Sequence, residues 1–389
     1  MVTLAELAWL PHPPAWQLDW PTIMAACPWL APLAATPQDP AYHAEGDVLT
    51  HTRMVAESLV GLAGWRARTP GERAALLLAA LLHDIGKPPT TQIAPDGRIS
   101  SPGHSLAGAA IARSLLWGDA GLGGPLAFAE RELVAGLVRF HGLPHWFLER
   151  SDIARGVLPP SLRIPLDLLA LLAEADLHGR ISPERADLVA RVDLFRDWCA
   201  EQGCLTTPYP FPSDHSRVRY CRRHQRDPAY HAYDDTWGEV TLLAGLPGAG
   251  KDTWLHKHAG ALPLIALDTI RAEREINPED AQGAVVSAAK DQARALLRRH
   301  QPFIWNATNL TRRLRDPLVD LMLGYGARVR IVYLDAPLPE VLRRNRQRAQ
   351  PVPEAVILRL ATRAEPPDLS EAHRVEVIAP MPIIHRGSL

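Results

Sequence analysis

The sequence predicts two domains, an all-α domain followed by an α/β domain built on a parallel sheet. Three observations carry that expectation. The chain has 389 residues, long enough to bury two separate cores. From about residue 47 to residue 198, apolar residues recur at three- and four-residue spacing, with hardly a strand-like run between them. Beyond about residue 236, short apolar runs alternate with helical ones, the pattern of a parallel sheet covered by helices. The expected boundaries are 1–205 for the helical domain, 206–236 for a connector and 237–389 for the α/β domain, with a lid near 343–353.

In the first domain the helical stretches are "LTHTRMVAESLVGLAG", "ERAALLLAALLHD", "AERELVAGLVRF" and "PLDLLALLAEAD". The stretch that follows, rich in Pro, Tyr, Arg and Asp, has no sustained period and reads as a connector. In the second domain "EVTLLAG", "LPLIALD", "PFIWNAT", "ARVRIVYLD" and "RVEVIAP" read as buried strands, and "SAAKDQARALLRRH" and "RDPLVDLML" as helices between them. The N-terminus lacks the basic start and continuous apolar core of a signal peptide. No run approaches the roughly 20 apolar residues of a membrane span, so a soluble cytoplasmic protein is expected, with no membrane partner. Cys27, Cys199, Cys204 and Cys221 form no CxxC pair and read as reduced thiols. With 42 basic against 43 acidic side chains, a bulk nucleic-acid binder is excluded, and any such contact must be local.

"LLHDIGKP" sets His83 and Asp84 at the end of a very apolar helix, where adjacent polar side chains are costly unless a partner satisfies them. A divalent metal is one such partner. Further donors follow a fixed order: His51 before the pair, His104 and His141 after it, and Asp176 on a later helix. This ordered set, over residues 40–200, resembles the HD phosphohydrolase superfamily. "HAEGDVLTHT", residues 43–52, is similar to the entry of HD domains in tRNA nucleotidyltransferases. The resemblance implies that His51, His83, Asp84 and Asp176 hold one metal, and that His104 and His141 add a second in some members. Imidazole with carboxylate suits Mn, Fe, Co, Ni or Zn, and such an ion acidifies a water for attack on a phosphoester. Lys87 reads as support for Asp84.

In "TLLAGLPGAGKDTW" a strand runs through glycines into a helix, the setting of a phosphate-binding loop. Gly245, Gly248 and Gly250 free the backbone N–H groups to surround phosphates, and Lys251 reaches the outer ones. Asp252 stands where a hydroxyl ordinarily holds Mg²⁺. A carboxylate also ligates Mg²⁺, and Thr253 offers a hydroxyl one residue on. Asp268, at the end of the second strand, suits a general base, and Arg271 an acceptor phosphate. Arg344 and Arg348, four residues apart, would share a helix face and close over the nucleotide. Residues 237–365 thus resemble the 5′-OH polynucleotide kinases, with Ala307 where the phage enzyme has Asp.

The order of modules is similar to that of the bacterial HD-Pnk end-healing family. The resemblance implies a metal-dependent 2′,3′-phosphoesterase joined to an ATP- and Mg²⁺-dependent 5′-OH kinase. It implies single-stranded RNA or DNA ends as substrates and a separate ligase as partner. Two alternatives stay open: an HD nucleotidase fused to a small-molecule kinase, and an HD phosphohydrolase regulated by ATP.

Overall fold

A computed structural model of the chain describes residues 1–224, 226–276, 280 and 282–380. They divide into two compact units, Met1–Pro210 and Phe211–Pro380. Among the described residues no single helix is long and apolar enough to cross a membrane.

The first unit is helical. Helix α1 (Val48–Gly61) starts where the Asp47 side chain accepts the Thr50 N–H, the usual cap for an exposed first-turn donor. Helix α2 (Pro70–Leu82) begins with a reciprocal Thr69–Glu72 capping box and a proline in its first turn. Residues 74–82 of α2 are all buried, which makes it the central helix of this unit. Around it stand α3 (His104–Trp117), α4 (Phe128–Phe140) and α5 (Leu166–His178), with α6 (Arg185–Glu201) against α5. The one interruption by strands is a two-residue antiparallel pairing of Gln92–Ile93 with Ile99–Ser100. Gly86 is required just beyond α2: a Cβ there would collide with the His104 carbonyl and the Gly108 backbone. That absence of a side chain lets the start of α3 lie against the end of α2.

The second unit is a five-stranded parallel sheet of β1 (Glu239–Ala244), β2 (Leu264–Ala266), β3 (Ile304–Asn306), β4 (Arg328–Leu334) and β5 (Arg374–Ile378), in the order β2-β3-β1-β4-β5. All five strands expected from the sequence are present. The stretch read as a connector is folded into this unit: α7 (Asp214–Cys221) starts from a Ser213 cap and buries Val218 and Tyr220. Arg217 from α7 donates to the Leu369 and His373 carbonyls. Aperiodic composition hid that helix because its contacts are tertiary. The sheet is followed around by α8 (Lys251–His258), α9 (Leu267–Glu273), α10 (Gly283–Arg298), α11 (Arg312–Gly324), α12 (Leu338–Arg346) and α13 (Glu354–Ala361). Both α8 and α9 begin at the carboxyl ends of strands, the edge where such sheets bind ligands.

Candidate active sites

Five elements of the first unit bring the six predicted donors together. His51 comes from α1, His83 and Asp84 from the end of α2, His104 from the start of α3, His141 from just past α4 and Asp176 from the last turn of α5. All but His104 are buried. The ligating atoms of His51, His83 and Asp176 lie within 4.8 Å of one another, and so do those of Asp84, His104 and His141. Asp84 spans the two groups. Its Oδ2 is 3.2 Å from His83 Nε2 and 3.9 Å from His51 Nε2, while its Oδ1 is 3.6 Å from His104 Nε2. The geometry therefore sets Asp84 between two subsites.

The ring protons decide what the pocket can hold. The Nδ1 atoms of His83, His104 and His141 face the carbonyls of Ala80, Ser101 and Val138 at 2.8, 2.9 and 2.8 Å. A carbonyl only accepts, so each Nδ1 carries a proton and each ring turns Nε2, the atom free to ligate, inward. His51 Nδ1 likewise faces two acceptors, Gly179 O at 3.3 Å and Glu45 Oε1 at 2.9 Å. Three Nε2 lone pairs thus face two carboxylates. Against burial, Asp176 and Glu45 raise the His51 pKa, and Asp176 Oδ1 accepts its Nε2 proton until an ion replaces it. His51 Nε2 is 3.0 Å from Asp176 Oδ1, His104 Nε2 is 3.3 Å from His141 Nε2, and buried His83 Nε2 has no hydrogen-bond partner among the described residues. Such a set repels itself unless a cation or a proton separates its members, so the residues fit one or two divalent transition metals.

The electrostatics agree with that fit. Burial favours neutral acids, yet Lys87 and His83 hold Asp84 well below the usual carboxylate range, and Arg180 and His51 do the same for Asp176. Burial pushes His141 down to about 3, leaving it a neutral donor. Lys87 Nζ donates to Asp84 Oδ2 at 2.7 Å and to Gln38 Oε1 at 2.6 Å. Arg180 stands 3.3 Å from both Asp176 oxygens. Sequence reasoning missed Glu45, Arg180 and His145. Buried His145 donates Nε2–H to Ala173 O and turns Nδ1 to within 3.9 Å of Asp176 Oδ2. Its signal was the second His of "HGLPH".

In the second unit the chain leaves β1 through Gly245, Gly248 and Gly250, all at positive φ, and enters α8 at Lys251. A Cβ at Gly245 would meet the Leu334 carbonyl at 2.6 Å, and one at Gly248 the Val341 carbonyl at 2.8 Å. The loop thus needs glycine for space as well as for conformation. Lys251 Nζ folds back onto the Gly245 and Leu246 carbonyls at 2.9 and 3.0 Å. Burial pulls its ammonium down to about 8, against a partial pull upward from Asp252.

A cleft of ≈ 780 Å³ opens over this loop. Gly248, Gly250, Lys251, Asp252 and Thr253 line one side, Asp268 and Arg271 another, and Arg344 and Arg348 a third. Asp268 is largely exposed on the first turn of α9 and is paired with Arg271, whose Nε also donates to Gln282. Arg344 is paired with Glu340 at 2.6 Å. The shared helix face expected of the two lid arginines is not found: α12 ends at Arg346, and Arg348 sits in the following turn. Asn345, by bonding both ways with the Val352 backbone, closes that turn. Both arginines still reach the cleft. Ala307 lies on its wall beside Asn306 and Thr308, and Thr308 O accepts the Gly245 N–H. Buried Asp335, one residue past β4, also lines it and was read only as a strand end.

The family model for the HD domain matches residues 48–181, and a model described as an AAA domain matches residues 240–367. The chain is an HD domain followed by a P-loop domain of the AAA kind. That is the arrangement expected of the HD-Pnk type. Part of the chain is 45% identical over 87 residues to a CC-adding tRNA nucleotidyltransferase of Thermus thermophilus, covering 20% of this chain and 19% of that protein. The chain thus spans about a fifth of that relative. Among solved structures it is similar to the Pnkp1/Rnl/Hen1 RNA repair complex at 20% identity and TM-score 0.31, over 34% of this chain and 46% of that one. It is also similar to a gluconokinase from Sinorhizobium meliloti 1021, at 19% identity and TM-score 0.28, over 37% and 83% of the respective chains. HD and P-loop domains of these kinds make the chain an enzyme. They imply divalent metal in the HD domain, and ATP with Mg²⁺ in the P-loop domain.

Proposed function

We propose that this chain heals broken nucleic-acid ends: its P-loop domain phosphorylates 5′-OH termini with ATP, and its HD domain hydrolyses 2′,3′-cyclic phosphate and phosphate ends. The observation that carries the reading is the company Lys251 keeps. One cleft offers a phosphate loop, a carboxylate with an arginine three residues on, and an arginine pair. A kinase acting on a phosphate-bearing acceptor needs each of these groups.

In this reading Asp268 accepts the proton of the 5′-OH as that oxygen attacks the γ-phosphate in line. The acceptor's own 3′ phosphate takes over Arg271, which releases Asp268 from its present ion pair. Lys251 leaves the carbonyls of its own loop for the outer phosphates, and Arg344 and Arg348 offset the charge on the transferring group. Asp252, the carboxylate on the phosphate loop, would hold the Mg²⁺ that accompanies ATP and that would offset charge on the remaining phosphate oxygens. In the HD domain a divalent transition metal supplies an acidified water. His51, His83, Asp84 and Asp176, with His104 and His141 at the second subsite, bind and orient it, while Arg180 offers positive charge to the phosphate. A near-neutral chain fits short single-stranded RNA or DNA ends gripped at a few phosphates better than long duplexes. The products, 3′-OH and 5′-phosphate, are those a separate ligase consumes.

The test is incubation of the full chain with γ-labelled ATP, Mg²⁺ and a 5′-OH oligonucleotide. Label transferred by the wild type and lost in Lys251→Ala is the expected result. ATP binding without transfer would overturn the kinase reading in favour of ATP-regulated HD chemistry. Label passing only to small polyols or nucleotides would favour a small-molecule kinase.

A further inference from the structure

Glu45 lies in the loop leading into α1, six residues before His51, and its side chain is 1% exposed. Three donors saturate its carboxylate. Oε1 accepts from His43 Nδ1 at 2.8 Å and from His51 Nδ1 at 2.9 Å, and Oε2 accepts the Ile181 N–H at 2.9 Å. Burial would favour the neutral acid, but these hydrogen bonds outweigh it and hold the group well below the usual carboxylate range. The His43 and His51 rings meet edge to face with centroids 4.8 Å apart, so the His51 ring is fixed in orientation as well.

We propose that Glu45 is a positioning residue of the HD pocket: its carboxylate locks His51 as the Nδ1–H tautomer and so keeps the Nε2 lone pair aimed at the ion shared with Asp176. The inference rests on the metal reading of that pocket. A buried carboxylate behind a ligating imidazole fixes the tautomer, orients the ring and raises its basicity. His43, Glu45 and His51 also place their ligating atoms within 4.8 Å of one another. An ion on that side would need His51 Nδ1 stripped of the proton that Glu45 and Gly179 both accept. A hydrogen-bonded relay leaves that proton where Glu45 and Gly179 accept it.

Glu45→Gln keeps the shape and removes the charge. An amide has one accepting oxygen against three donors, so its NH₂ must face either the two histidines or Ile181 N–H. Facing the histidines, it drives His51 to the Nε2–H tautomer and blocks ligation. Facing Ile181, it releases the loop that carries Glu45.

The experiment titrates chelator-stripped full-length protein with Mn²⁺ by calorimetry, for wild type, Glu45→Gln and Glu45→Ala. It is paired with long-range ¹H–¹⁵N spectra of the histidine rings in Zn²⁺-loaded protein. The expected result is wild-type binding with a His51 Nδ1–H signature, and affinity about 10- to 100-fold weaker in both variants, with native circular dichroism. Variants that bind Mn²⁺ as tightly as wild type would overturn the role of Glu45 alone. A wild type that binds no Mn²⁺ would overturn the metal reading itself. Should either variant fail to fold, the wild-type spectrum decides, because an Nε2–H signature at His51 is incompatible with the relay.

Discussion

Raising the pH from 7.5 to 9 should loosen the grip of the P-loop domain on Mg²⁺–ATP, and the cause is one buried ammonium. Lys251 is enclosed by its own loop, and burial lowers its pKa from the ordinary 10.5 to about 8. That displacement corresponds to about 3 kcal/mol of unfavourable desolvation. A bound triphosphate supplies the anionic partner the lysine lacks, which raises its pKa again. Binding therefore takes up a proton wherever free Lys251 is neutral and bound Lys251 is charged, and affinity is higher on the acid side of that window. Below about pH 8 the ammonium is present in both states and affinity is flat. Above it, affinity falls by about tenfold per pH unit, to a limit of about 300-fold when the bound value regains 10.5. At pH 9 uptake should reach roughly 0.9 proton per nucleotide. Calorimetry with a non-hydrolysable ATP analogue, in buffers of different ionisation enthalpy, reads this number directly. Lys251→Arg, which stays charged throughout, should bind with a pH-independent constant. An affinity that is flat to pH 9 with no buffer dependence would refute the reasoning, because Lys251 would then not carry a lowered pKa into nucleotide binding.

Three further outcomes are expected. Asp84→Asn, which removes a bridging charge from between the two subsites, should abolish Mn²⁺-dependent hydrolysis of a 2′,3′-cyclic phosphate end in a product assay while 5′ labelling persists. Arg315→Met breaks the buried pair in which Arg315 Nε and Glu371 lie 2.7 Å apart. It should cost about 3–5 kcal/mol by urea unfolding, since it strands a buried charge, and a loss under about 1 kcal/mol would contradict the pairing. His373 is pushed down to about 4 by burial, with the Arg328 charge adding to it. The folded state thus prefers the neutral ring, and stability held above pH 6.5 should decline by up to about 3 kcal/mol as the pH falls toward 4. His373→Asn, whose Oδ1 can accept the Val329 N–H that His373 Nδ1 now accepts, should flatten that slope in acid unfolding curves.

What the sequence made legible was chemistry carried by local pattern. The run "LLHDIGKP" announced a polar pair at the end of an apolar helix, and the five strands announced themselves as short apolar runs between helical stretches. Gly245, Gly248 and Gly250 were legible because only backbone freedom explains three glycines at that spacing. Features fixed by tertiary contact were not legible. Helix α7 buries Val218 and Tyr220, and its Arg217 donates to the Leu369, Ala372 and His373 carbonyls about 150 positions away, which no period records. The arginine spacing at 344 and 348 pointed to one helix face, yet Asn345 turns the chain two residues too early for that. Glu45 lay inside a quoted stretch with His43 and His51, but its third partner, the Ile181 N–H 136 positions away, is one that only the fold supplies.

The two sites differ in how their charges are held, and that difference bears on how each is loaded. In the HD pocket every ligating imidazole has its Nδ1–H committed to a backbone carbonyl or to Glu45, so the rings are oriented with Nε2 inward before any ion arrives. The pocket is costly while empty, and its ion therefore contributes to folding stability as well as to chemistry. In the P-loop cleft the charged groups are paired with one another instead: Lys251 with loop carbonyls, Asp268 with Arg271, Arg344 with Glu340. Asp268 is largely exposed and Arg344 and Glu340 are partly so, and ion pairs of that kind are worth about 0–1 kcal/mol each. ATP and an acceptor phosphate displace them at little cost. A pocket that repels itself when empty should be isolated with its metal retained. A cleft in which Asp268 is paired with Arg271 and Arg344 with Glu340, while Lys251 rests only on carbonyls, should regroup in steps, Lys251 on binding ATP and the Asp268–Arg271 pair on binding the acceptor.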